Sequence, residues 1–80
     1  MARYFFDIHN SRFSALDEFG LECADQDAVS AEALRQLCTI AKDEPLSHLH
    51  GTLGAIVRNY EHHVVLTATV SLSITWVDGA

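Results

Sequence analysis

Basic residues are scarce in this chain of 80 residues: five Lys plus Arg stand against eleven Asp plus Glu, for a formal charge of −6. Arg3, Arg12, Arg35, Lys42 and Arg58 are scattered along the chain and form no stripe. Nucleic-acid affinity comes mainly from cations that neutralise phosphates, and adhesion to an anionic bilayer needs cations too. Neither partner is expected. No apolar run approaches the ~20 residues that cross a bilayer. Met1 leads straight into ARYFFDIH, with no basic segment feeding a long apolar one, so no secretory signal is expected and the cytoplasm is the expected compartment. Cysteine is limited to Cys23 and Cys38, whose spacing matches no zinc or redox motif. Both are expected to be reduced and buried as small hydrophobes.

The sequence is equally short of catalytic signatures. It has no G-x-S-x-G elbow, no phosphate-cradling glycine loop and no H-E-x-x-H pair. Asp17, Glu18 and Glu22 bring carboxylates together near a turn. Paired acids do proton chemistry only where burial drives their pKa values apart, and a surface turn does not supply that. No enzyme activity and no cofactor are expected.

What the chain does contain is a 49% hydrophobic fraction, ordinary for one folded domain spanning 1–80. RYFFDIH at 3–9 alternates Tyr4, Phe6 and Ile8 against Arg3, Phe5 and Asp7, which predicts a strand with its even face in the core. GLECA at 20–24 predicts a short second strand beside it. Asp25 or Asp27 caps a helix over 26–44, in which Val29, Ala33, Leu34, Leu37, Ile40 and Ala41 recur at steps of three and four as one apolar stripe. Pro45, the only proline, ends it. After a loop, LGAIVRN at 53–59 predicts a third strand, and YEHH turns into a fourth. The expected fold class is α+β: a two-layer β-β-α-β-β unit with one helix packed on a four-stranded, mainly antiparallel sheet. Strand orders 2-1-3-4 and those that place strand one beside strand four both remain open.

Three segments carry a resemblance: ARYFFDIHN at 2–10, the D-x-x-G turn in LDEFGLE at 16–22, and DQDAVSAEAL at 25–34. Together with the C-terminal hairpin they resemble a family of short bacterial proteins of unknown function. Ala2 stands where that family usually has proline, and the hairpin turn lacks the usual Asp-Gly. The resemblance implies a native cytoplasmic bacterial domain and brings no activity or site residues with it.

Five histidines invite a metal reading. The 48/50 and 62/63 pairs are separated by a strand of seven residues, about 23 Å at ~3.3 Å per residue, so they cannot share one ion. With the predicted strand directions, His9 lies at the same end as Asp43, Glu44, His48 and His50, the only place for a site within one chain. Histidine-based metal binding is a less favoured reading than protein interaction. Nor do Tyr4, Phe5 and Phe6 form a base-stacking platform, since only Phe5 faces away from the helix, in an acidic protein.

The most informative stretch is HVVLTATVSLSITWV at 63–77. Val64, Leu66, Ala68, Val70, Leu72, Ile74 and Trp76 share one parity; Thr67, Thr69, Ser71, Ser73 and Thr75 share the other. Period two predicts one long strand with a dry face and a hydroxyl face. Fourteen residues span about 46 Å, and strand three can cover only about half of that. No charge occurs between His63 and Asp78 to guard an open edge. The expected function is therefore a non-enzymatic interaction module, a homodimer joined through its sheet face or edge. Thr67, Thr69, Ser71, Ser73 and Thr75 form the candidate interface. The alternative is a small regulatory, antitoxin-like partner that uses the same surface on another protein.

Overall fold

The computed structural model describes residues 1–78. Five strands and one helix follow in order: β1 (Ala2–His9), β2 (Ser14–Ala15), β3 (Leu21–Cys23), α1 (Gln26–Asp43), β4 (Thr52–Arg58) and β5 (Val64–Ser71). The sheet runs β2-β1-β4-β5, with β3 also paired to β1, and every strand pairing is antiparallel. The expected architecture holds, with β2 as an additional short strand. Of the open strand orders, the one that leaves the last strand at the sheet edge is found.

Asp25 is the helix cap: its carboxylate accepts from the Ala28 N–H at 2.8 Å, satisfying a donor that the first turn leaves free. Pro45 stops α1, and its ring opens a 3₁₀ turn at Pro45–His48 instead of a plain loop. Proline suits a first helical position because its missing N–H would have no partner there.

One face of the sheet packs on α1. Near the start of the helix, Phe6, Cys23, Val29, Ala33 and Val57 form the core; near its end, Ile8, Leu37, Ala41, Leu53 and Ala55 do. Leu66, Ala68 and Val70 on β5 lean on both groups from the side. The even parity of β1 and β5 therefore faces the helix as period two requires. Leu34 departs from the predicted stripe and is 48% exposed, because it lies at the helix margin above the β5 edge. Cys38 is also exposed, although burial was expected; Cys23 is buried.

The long C-terminal strand is shorter than its alternation predicts. β4 begins at Thr52, which pairs with Ser71, so no mate exists for a longer β5. The Leu72 carbonyl accepts from the His50 N–H at 2.9 Å in one isolated bridge, and the chain then leaves the sheet. Ile74 (53% exposed) and Trp76 (72%) accordingly lie in solvent and not on a dry face. At the other end a register shift sets Arg58 opposite Val64 and Val57 opposite Leu66, leaving Val65 as an extra residue. This β-bulge turns Val64 out of the apolar row, and it too is exposed.

Candidate functional site

With α1 on one side, the other side of the sheet is an outer face that no second layer covers among the described residues. Strand register sets its rows: His9, Gly54 and Thr69; Asp7, Ile56 and Thr67; Phe5 and Arg58. The His9 ring lies over Gly54, where a Cβ would come within 2.6 Å of the imidazole.

The β1 side of this face is tied down. Arg58 grips Asp7 with two bonds, Nε to Oδ2 at 2.6 Å and Nη2 to Oδ1 at 3.0 Å. Its Nη2 also donates to the Asp17 carbonyl at 3.1 Å, and Nη1 meets His62 Nδ1 at 2.8 Å. The guanidinium sits 5.1 Å from the centre of the Phe5 ring, a cation–π contact. This accounts for Phe5, the one ring expected to face outward.

Asp17 performs a second task at that edge. Between Tyr4, the last β1 residue paired with β3, and Ile8, the first paired with β2, β1 has no strand neighbour on this side. The Asp17 carboxylate fills the gap by accepting from the Phe6 N–H at 3.0 Å. Its other oxygen accepts from the N–H groups of Phe19 and Gly20 at 3.1 and 3.0 Å, and the Asp17 N–H donates to Asp7 at 2.9 Å. The D-x-x-G turn thus has a physical meaning. Gly20 takes φ +74°, and a Cβ there would lie 2.9 Å from the Tyr4 carbonyl oxygen. Burial raises the pKa of both carboxyls. The Arg58 bonds to Asp7 and the backbone N–H bonds to Asp17 outweigh it, so both lie below the ordinary carboxylate value. Their oxygens hold fixed donors and are ionised at neutral pH, which suits a clamp and not proton transfer. The acidic turn read from the sequence only as a surface turn is therefore partly structural. Asp7 and Arg58 give no local signal of partnership, since 51 residues separate them.

The β5 side differs. Thr67, Thr69 and Ser71 share the exposed outer face as predicted, and Ser73 and Thr75 are exposed beyond the strand end. Nothing among the described residues covers the free edge of β5. Two shallow grooves follow its seam with the helix. One, of about 300 Å³, is lined by Ser30, Leu34 and residues 66–69; the other, of about 270 Å³, lies near the helix start and is lined by Tyr4, Gln26, Val65 and Leu66 among others.

The histidines are dispersed among separate tasks. His9 covers Gly54, His50 bonds Leu72, and His62 meets Arg58. Among the described residues no three His, Cys, Asp or Glu side chains converge as metal ligands. No helix among them is long and apolar enough to cross a membrane. Burial raises the Cys23 thiol pKa, with Glu32 and Asp25 adding to the effect.

A family model covers residues 3–71, from the second residue of β1 to the last of β5. The chain belongs to the family described as Domain of unknown function (DUF6894). The DUF6894 match spans the whole two-layer unit and stops where β5 leaves the sheet. Among curated proteins and solved structures, nothing matches the chain.

Proposed function

We propose that this DUF6894 domain is a non-enzymatic interaction module that dimerises by pairing β5 with a second copy of itself. One observation carries the reading: β5 is an edge strand with no lysine, no proline and no charge between His63 and Asp78. Unpaired N–H and C=O groups on such an edge are a template for another strand, and natural proteins normally block them. The bulge at Val65 protects only the first turn of the strand; Leu66–Ser71 stays regular. The neighbouring hydroxyls of Thr67, Thr69 and Ser71 desolvate at lower cost than charged groups. A net charge of −6 opposes association in general, yet this edge carries none of it. The reading extends to a reducing, cytoplasmic setting, which suits the free thiols Cys23 and Cys38.

Sedimentation velocity at micromolar concentration tests the proposal. A dimer is expected, and Ser71→Lys with Ser73→Lys should shift it to monomer while leaving the circular dichroism spectrum unchanged. A monomer at every accessible concentration ends the reading.

A further inference from the structure

The period-two pattern does not stop where the strand stops. Leu72, Ile74 and Trp76 continue the apolar parity of Leu66, Ala68 and Val70, while Ser73 and Thr75 continue the hydroxyl parity. Residues 73–77 nonetheless lie outside the sheet, because β4 ends its pairing at Thr52 and Ser71. A sequence patterned as a strand, exposed for want of a mate, points to a mate on another molecule.

We propose that the occupant of the α1–β5 seam is the Leu72–Trp76 segment of a second copy, which extends β5 and pairs antiparallel across a two-fold axis at Val70. This rests on the dimer reading above and fixes its register. In a two-fold antiparallel pair, residues opposite each other share a face, so their numbers must sum to an even value. A sum of 140 sets Val70 opposite the partner's Val70, Ala68 opposite the partner's Leu72, and Leu66 opposite the partner's Ile74. On the outer face it sets Thr69 opposite the partner's Ser71, and Thr67 opposite the partner's Ser73.

The two grooves lie where this register delivers side chains. Neighbouring strands are about 4.8 Å apart, so the partner's Ile74 comes to rest beside Leu66, under the half-exposed Leu34. Trp76 of the partner subunit lies one step further toward the start of α1. There the groove lined by Tyr4, Gln26, Val65 and Leu66 is open. The two-fold axis stands perpendicular to the sheet, so both helices lie on the same face and both seams are filled reciprocally. Exposed apolar groups on both sides, Leu34 and Val65 against Ile74 and Trp76, are removed from water together. A register centred on Ala68 would instead carry Ile74 opposite His62, past the bulge, and set only the smaller Val70 of the partner subunit opposite Leu66, under Leu34.

Trp76 is the only tryptophan, so its emission reports its own surroundings. Diluting the protein from the dimeric to the monomeric range should shift that emission to longer wavelength as the indole is released into water. Trp76→Ala should weaken dimerisation about tenfold or more, as for a buried aromatic anchor, while the melting point of dilute monomer stays unchanged because the side chain is exposed there. Val70→Cys in a Cys38→Ser background should form a disulfide-linked dimer on mild oxidation, whereas Ala68→Cys should not. A dimer whose tryptophan emission is indifferent to dilution, or which crosslinks through position 68 and not 70, overturns the register and the seat while leaving self-association intact. Absence of any dimer overturns both.

Discussion

The two edges of this sheet are built in opposite ways. On the β1 side, β3 and β2 pair with the two ends of the strand, the Asp17 carboxylate satisfies Phe6 between them, and Arg58 binds the turn to Asp7. On the β5 side nothing among the described residues pairs with the free edge of the strand, and no charge stands along it. The contrast shows that this fold has the means to close an edge: eleven residues of turn and a few charged groups suffice between Asn10 and Gly20. An edge left bare beside one so thoroughly closed is the physical ground for the proposal that association runs through β5.

Breaking the closed edge should have the largest effect. Asp17→Ala removes the acceptor for three backbone N–H groups and should cost about 3 kcal/mol, taking charge-assisted bonds to a half-exposed group at ~1 kcal/mol each. For a domain of this size that lowers the melting temperature by roughly 15 °C, readable by calorimetry. A loss below ~1 kcal/mol would mean that water replaces the carboxylate and that the closure described here is incidental.

Gly20→Ala tests the same turn through the backbone. The positive φ and the 2.9 Å approach to the Tyr4 carbonyl should together cost about 1–3 kcal/mol. Denaturant titration is the measurement, and a neutral result would show that the turn relaxes freely.

Acid should loosen the closed edge before the rest. Asp7 and Asp17 have folded pKa values below the ordinary carboxylate value, so the unfolded chain binds more protons than the folded one in acid. Their contribution is full above the unfolded value of about 4 and is lost as pH falls through the folded values. Stability measured from pH 7 down to 2 should fall across that window. Asp17→Asn should flatten the profile, and an unchanged slope would remove Asp17 from the account.

The smallest effect on stability belongs to the bare edge. Thr69→Lys is a solvent-face change on an edge strand and should alter folding by about 0.5 kcal/mol or less. It should nevertheless convert dimer to monomer in sedimentation, because the two introduced ammonium groups lie diagonally about the two-fold at Val70, each opposite the partner's Ser71. Persistence of the dimer would move the contact away from β5.

Much of the architecture was legible in local pattern. The spacing Val29, Ala33, Leu37, Ala41 marked the buried side of α1, and the alternation of Phe6 and Ile8 marked the inner face of β1. The hydroxyls of Thr67, Thr69 and Ser71 lie outward as their parity required. Leu34 was misjudged because an apolar residue at the stripe's margin looks the same in sequence whether or not a strand lies beyond it. The Asp7–Arg58–Asp17 clamp was invisible for a different reason. Its members come from β1, β4 and a turn, and only strand register brings them together.

By itself the amino-acid order determined the elements whose signal is periodic: one amphipathic helix, alternating strands, and an uncharged apolar–hydroxyl ribbon from Val64 onward. Each depends on side-chain direction over a few residues, which the backbone repeat sets locally. Only the tertiary structure decided which strand stands at the edge, that β5 stops at Ser71, and that Asp17 closes one border while nothing among the described residues closes the other. Those outcomes depend on where other strands begin and end. A strand persists only while a neighbour takes its backbone hydrogen bonds, and the reach of that neighbour is written elsewhere in the chain.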